Sequence, residues 1–375
     1  MEEAASRRQR VATAALRLLQ DAGTLRERLA SDPAGFLARA FPVPTPSPVS
    51  PAPPTARLES TLVGGAELVE VDPVARAVEQ RRLDVLDAGL SGLAKVQQEG
   101  PSAPLSPDES TGLEAIILTV GRPAIMFRDG HFDEPPTEWN VLDQSRDRIE
   151  KAARSIGRIQ VVGNPLYPWV GTGFLVAEGV VMTNRHVAKV FSAKSGDGAW
   201  MFQAGMSANV DCADAPDADP PMQFDVGEVI GIHDTLDMAL LRVTPLAGSG
   251  DALPNPLPIA SSVPPAPEGR QVYTIGYPAR DPRNGEALMR SIFADIYGVK
   301  RLQPGTVMAV FPDDGTFNHD CSTLGGNSGS CVVDLQTHQV IGLHFEGYYL
   351  QYNRAFSLWA LTDDPLLKKA GVTFA

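Results

Sequence analysis

The chain has 375 residues, 43% of them hydrophobic, with 34 glycines, 32 prolines and a formal charge of −13. At roughly 100–200 residues per domain this length corresponds to about two domains, and the apolar fraction suffices for at least one full core. So acidic a chain argues against nucleic acid or an anionic membrane as partner, and so much glycine and proline argues against an all-helical protein.

The first residues, Met1 to Ala30, are broken repeatedly by Arg and Glu and hold no apolar stretch of signal-peptide kind. No run anywhere reaches the roughly 18 apolar residues of a membrane span. Cys212, Cys321 and Cys331 are odd in number and contain no CxxC pair, so neither a disulfide framework nor a zinc site is expected. Together these features predict a cytoplasmic protein with reduced thiols and no metal or cofactor.

Residues 1–40 read as a helical segment with a break at Ser31–Pro33, and Val11, Ala14, Ala15, Leu18 and Leu19 recur on one face. Residues 41–57 form a Pro-rich linker: seven of the fourteen residues from Phe41 to Pro54 are proline, which favours extended polyproline geometry. Residues 58–155 form an accessory region. Its pattern predicts a helix over Pro73–Gln98, a break at Gly100–Pro107, and short strands at Leu113–Val120 and Pro123–Phe127. A last helix is expected over Gln144–Ser155, capped by Asp143. This region carries no chemical motif and is expected to be regulatory or to engage a protein partner.

Beyond Ile156, short β-branched and aromatic runs alternate with Gly/Pro/Asn turns. They fall at Arg158–Val162, Gly173–Val176, Val180–Thr183, Val226–His233, Met238–Arg242, Gln271–Tyr277, Thr306–Phe311, Cys331–Asp334 and Val340–Phe345. Many short strands with frequent turn signals predict a mainly β domain, an antiparallel barrel or sandwich, over residues 156–375. Asp211, Asp214, Asp217 and Asp219 lie between strands without EF-hand spacing, so a solvated acidic loop is expected there.

Three segments of this domain carry chemistry. Gly171-Thr-Gly precedes Thr183-Asn-Arg-His186-Val, which delivers a histidine at a strand end. Asp237-Met-Ala-Leu-Leu places an aspartate at the mouth of a buried strand, and Gly326-Asn-Ser328-Gly-Ser holds a serine in a glycine-rich turn. A serine hydroxyl is a poor nucleophile until an imidazole accepts its proton, and the imidazole needs a carboxylate to fix its tautomer. Glycines beside the serine let backbone N–H groups aim at a developing oxyanion.

These motifs resemble those of trypsin-like serine proteases of the bacterial type, and the serine motif is similar to that of the glutamyl endopeptidase branch, with Asn327 where trypsins have Asp. The resemblance implies a double six-stranded antiparallel β-barrel preceded by the helical region, and a serine endopeptidase acting on protein or peptide substrates. It implies His186 as general base, Asp237 as its orienting carboxylate and Ser328 as nucleophile, with Gly326 and Ser328 N–H groups as oxyanion hole. It also puts Ser322 at the floor of the primary pocket, where no acidic residue stands to bind Arg or Lys. Thr323 and His344 resemble the pair with which glutamyl endopeptidases bind an acidic side chain, a hydroxyl and a partly charged imidazole. His233 and Asp234 are near-miss alternatives for the triad. A second reading is a dormant or inactive protease-fold scaffold awaiting a partner. A third is an esterase, which the lack of strand-to-helix G-x-S-x-G architecture disfavours.

Overall fold

The computed structural model describes residues 8–16, 73–117, 122–165, 167–196, 198–216, 218, 222–246, 252–280, 296–348 and 351–375. The linker expected at 41–57, like most of the first 72 residues, lies outside the described part.

Residues 8–16 are helical (α1), with Val11, Ala12, Ala14 and Ala15 buried. The long helix α2 (Pro73–Glu99) packs against α3 (Pro107–Ile116). Between them a turn of 3-10 helix covers Gly100–Ser102, the expected break. Ser106 caps α3 in a full capping box with Glu109, satisfying two N–H groups that the helix end leaves free. Glu109 also reaches back to Ser91 and Lys95 of α2, at 2.8 and 2.9 Å, which ties the hairpin together. The Arg8 guanidinium donates to the carbonyl of Leu105, bringing α1 to this turn. The strand expected from Leu113 is therefore helix as far as Ile116, because the Ser106–Glu109 cap starts a turn that the apolar run continues.

Two short strands follow, β1 (Ile125–Arg128) and β2 (His131–Phe132), paired antiparallel. The expected helix over Gln144–Ser155 is split. A single turn, α4 (Val141–Gln144), precedes α5 (Arg146–Ala153), whose flanking residue is Ser145. Asp143 does not cap it; its carboxylate accepts from Arg146 at 2.6 Å.

The first barrel closes from six antiparallel strands: β3 (Ile156–Val162), β4 (Trp169–Ala177), β5 (Val180–Thr183) and, after the one-turn helix α6 (Arg185–Ala188) and a small hairpin β6 (Ser192–Lys194) and β7 (Trp200–Phe202), β8 (Ser207–Asp211), β9 (Gln223–Ile232) and β10 (Ala239–Pro245). Their order around the barrel is β10-β5-β4-β3-β8-β9. Ile159, Leu175, Val181, Val210, Phe224 and Leu241 fill its interior.

The second barrel comprises β11 (Gln271–Gly276), β12 (Arg301–Phe311), β13 (Thr316–His319), β14 (Cys331–Asp334), β15 (Val340–Tyr348) and β16 (Tyr352–Ser357). It closes where β11 pairs with β12, and the β1–β2 hairpin extends its sheet through Ile125↔Leu302 and Met126↔Arg301. Strands β8, β13 and β16, which complete the two barrels, carry no apolar run of their own.

A third core joins the barrels. Phe174, Met182 and Leu240 from the first meet Tyr273, Ile275 and Leu343 from the second, together with Phe127, Trp139, Leu142 and Ile149 from upstream. Burying such side chains contributes about 1.5–3 kcal/mol each, so residues 125–153 are bound to the barrels by hydrophobic burial.

The start of the expected acidic loop is not solvated. Asp211 is buried and pairs with Arg158 at 3.0 Å, while Asp214 accepts from Gly130 N–H and pairs with the buried Lys300 at 3.3 Å. Basic partners from β3 and the second barrel draw these carboxylates inward. Asp217 and Asp219 lie outside the described residues. No helix among the described residues is long and apolar enough to cross a membrane.

Candidate active site

The site forms where the barrels meet. Strand β5 ends at Thr183 and the chain turns into α6, so His186 stands at the barrel rim, exposed, with Val187 buried beneath it. Asp237 comes to the same rim just before β10, which pairs with β5 through Ala239↔Thr183. His186 Nδ1 lies 2.6 Å from Asp237 Oδ2, and the His186 N–H donates to Asp237 Oδ1 at 2.9 Å. Both carboxylate oxygens thus grip one residue, which fixes the ring and, among the described residues, leaves Nε2 without a partner. Partial burial pushes the Asp237 carboxyl up, but the hydrogen bonds from His186 and the nearby Arg185 outweigh it and hold the group below its ordinary range.

The near-miss pair is otherwise engaged. His233 lies 3.0 Å from Asp364, and its other ring nitrogen accepts from the N–H groups of Thr235 and Leu236. It shapes the loop that leads to Asp237. The carbonyl of Asp234 accepts from Arg185 at 3.0 Å, which draws the same loop onto α6.

Ser328 belongs to a tight turn between β13 and β14. The N–H of Asn327 donates to the carbonyl of Leu324, and Gly326 has φ +89°, a conformation that strains any side chain. A Cβ at Gly326 would also stand 2.4 Å from Trp169 and from the carbonyl of Tyr277. Thr172, fully buried in β4, holds this turn twice: its N–H donates to the carbonyl of Ser328 at 2.9 Å and its hydroxyl to the carbonyl of Gly326 at 2.8 Å. Gly171 beside it is the point of closest approach. A Cβ there would lie 2.7 Å from Val187, next to His186, and 2.9 Å from the carbonyl of Ser328. The serine turn and the histidine helix are therefore neighbours across a bare strand backbone. Among the described residues, the N–H groups of Gly326 and Ser328 have no acceptor in the chain.

Of the remaining expected residues, Ser322 and Thr323 share one segment and His344 lies on β15. Ser322 is buried and its hydroxyl donates to the carbonyl of Arg122 at 2.6 Å. Thr323 donates to Asn353 Oδ1 at 2.5 Å, and the Asn353 amide donates to the carbonyls of Cys321 and His319. His344 is buried in β15, with its N–H and carbonyl bonded to Ser330 and Gly329, and its Nδ1 lies 3.3 Å from Nε2 of the buried His319. Burial first, and the proximity of His186 second, push the His344 imidazole down to about 3. The partly charged imidazole expected at this position is neutral, because the second barrel removes it from water. Thr172, Arg122, His319 and Asn353 escaped the sequence reading. Thr172 alone had a signal, its place inside the quoted Gly171-Thr-Gly run.

The three thiols are free and buried. Among the described residues no group of three or more His, Cys, Asp or Glu is placed to hold a metal.

The trypsin-like peptidase domain family matches residues 171–343. A probable serine protease of Lysobacter enzymogenes, FE772_23060, is 31% identical over 315 residues, spanning 74% of this chain and 80% of the relative. Among solved structures, the active form of the Rv3671c protease of M. tuberculosis is 20% identical over 60% of this chain and 85% of that one, with a TM-score of 0.39. The serine endoprotease of Yersinia pestis is 18% identical over 63% and 69%, with a TM-score of 0.40. On the strength of the Lysobacter relative and of the matched domain, the chain belongs to the trypsin-like serine peptidases.

Proposed function

We propose that the chain is a serine endopeptidase in which His186, Asp237 and Ser328 act as the catalytic triad. The observation that carries this reading is the pair of hydrogen bonds from His186 to Asp237 at a rim where Gly171 brings Ser328 alongside. His186 accepts the Ser328 hydroxyl proton as Oγ attacks the peptide carbonyl, and Asp237 stabilises the imidazolium that forms. The N–H groups of Gly326 and Ser328 receive the negative charge of the tetrahedral oxygen. His186 then protonates the leaving amine, and water, activated by the same ring, hydrolyses the acyl-enzyme.

The buried free thiols favour a reducing compartment, the cytoplasm, and a protein or peptide substrate follows from the chemistry.

At the primary pocket the reading is a preference for hydrogen-bonding side chains, glutamate foremost, before the scissile bond. Thr323 and His344 supply polar contacts, and Arg354, 3.6 Å from Glu346, offsets that carboxylate. A neutral His344 donates a hydrogen bond without neutralising charge, so glutamine is expected within about tenfold of glutamate. The test is hydrolysis of a peptide library by the full chain and by Ser328→Ala. Loss of at least about 10⁴-fold activity in a folded variant supports the triad. Undiminished cleavage by that variant removes it.

A further inference from the structure

We propose that Arg122 is a positioning residue for specificity, a joint that couples the α2–α3 hairpin to the wall of the primary pocket. The proposal rests on the active-site reading above.

Arg122 makes three attachments in three directions. Its N–H donates to the carbonyl of Ile117 at the end of α3, at 2.9 Å. Its carbonyl accepts the Ser322 hydroxyl at 2.6 Å, and its guanidinium lies 3.6 Å from Asp320 Oδ2. Arg122 is 7% exposed and Ser322 8%, so water competes little for these contacts. Asp320 is itself anchored: its Oδ1 accepts from the N–H and hydroxyl of Thr306 on β12, leaving Oδ2 toward Arg122.

The segment 319–323, which leads directly into the Ser328 turn, is thus held from two sides. Asn353 of β16 gathers the carbonyls of His319 and Cys321 from within the barrel. Arg122 holds Asp320 and Ser322 from outside it. Downstream, Arg122 is fixed by the pairing of Ile125 with Leu302, only three residues on. Upstream it is fixed by α3. A displacement of the helical hairpin therefore reaches Arg122 first, and through Ser322 and Asp320 it reaches the pocket. The Ser322 hydroxyl, turned toward Arg122, is a structural tie and not a contact for substrate.

The test uses the full chain with Arg122→Ala, Arg122→Lys and Ser322→Ala, and with Glu109→Ala, which undoes the capping box of α3 away from the pocket. Two quantities are read: kcat and KM for peptides that differ only before the scissile bond, and the rate at which a small fluorophosphonate labels Ser328 without filling the pocket. Arg122→Ala is expected to raise KM about tenfold for the preferred peptides and to flatten their ranking, while labelling stays within about twofold. Arg122→Lys recovers most of the loss, Ser322→Ala shifts KM the same way, and Glu109→Ala raises it about threefold. An unchanged KM and ranking both in Arg122→Ala, which removes the guanidinium contact with Asp320, and in Ser322→Ala, which removes the tie to the Arg122 carbonyl, overturns the proposal. So does a parallel fall of labelling and cleavage in all variants, which marks a general structural role. An unchanged KM in Glu109→Ala overturns the coupling to the hairpin. A wild-type chain that resists labelling, or an active Ser328→Ala, overturns the active-site reading itself, a result recognisable without any Arg122 variant.

Discussion

The two barrels serve the site by different means. The first supplies His186 and Asp237, joined by two direct hydrogen bonds on one rim, and steadied by Asn184, whose amide donates to the carbonyl of Asp237 at 2.8 Å. The direct contacts of this half lie within its own barrel, with one outside fixing where His233 meets Asp364 beyond β16. The second supplies Ser328 and the pocket, and beside its own Asn353 and Ala279 it draws fixings from elsewhere: Thr172 from the first barrel and Arg122 from upstream of both barrels. The proposed acid–base half is thus set mainly by the first barrel, whereas the proposed nucleophile half depends on how three parts of the chain assemble. Control of the enzyme is more readily exerted on the second half.

The largest expected effect tests the first-barrel half. Asp237→Asn keeps the shape of the rim but reverses the tautomer that the carboxylate imposes on His186, and should lower kcat by about 10⁴-fold with little change in KM. Steady-state kinetics beside a melting curve checks it. A drop in kcat matched by a collapse of stability would mean that the pair holds the barrel together more than it prepares a base.

A smaller effect is expected at the junction of the halves. Thr172→Val removes the hydroxyl that donates to Gly326 and accepts from the N–H of Tyr277, while the backbone bond to Ser328 remains. The peptide groups around the proposed oxyanion site then lose one of their fixings, which should cost about 10- to 100-fold in kcat with KM within about twofold. Thr172→Ser should restore most of it. A loss appearing in KM instead would place Thr172 with the pocket.

The comparison also explains what could be read from the sequence. His186, Asp237 and Ser328 stood out because each sits in a short motif whose neighbours are dictated locally: a strand end, a buried apolar strand, a glycine turn. Nine strands were visible as apolar runs. Strands β8, β13 and β16 were not, since Ser207–Asp211, Thr316–His319 and Tyr352–Ser357 mix polar and apolar residues and gain their conformation from partners distant in sequence. For the same reason Arg122 was invisible: its contacts with Asp320 and Ser322 span about 200 residues, and a lone arginine after a helix has no local signature. The burial of His344 was hidden likewise, because β15 alone does not reveal that His319 of β13 faces it.

That buried pair separates the barrels by their response to acid. Burial pushes both imidazoles down, His344 to about 3 with His186 adding to the effect, and His319 well below the usual range with His344 and Arg122 adding to it. The folded state therefore holds fewer protons than the unfolded chain between about pH 6.5 and 3. Stability from this source is fully present above the unfolded value and is lost as pH falls. For His344 alone the loss between neutral pH and pH 5 is about 2 kcal/mol. Among the described residues the first barrel has no buried histidine: His186 is exposed and His233 only partly covered. Acid should accordingly loosen the second barrel first. Urea denaturation at pH 7.5 and 5 should show a fall in the midpoint for the wild type and a clearly smaller one for a His319→Gln, His344→Gln double variant. An equal pH dependence in the two proteins would mean that the histidine pair is hydrated in solution, and that the contrast in acid response between the barrels does not exist.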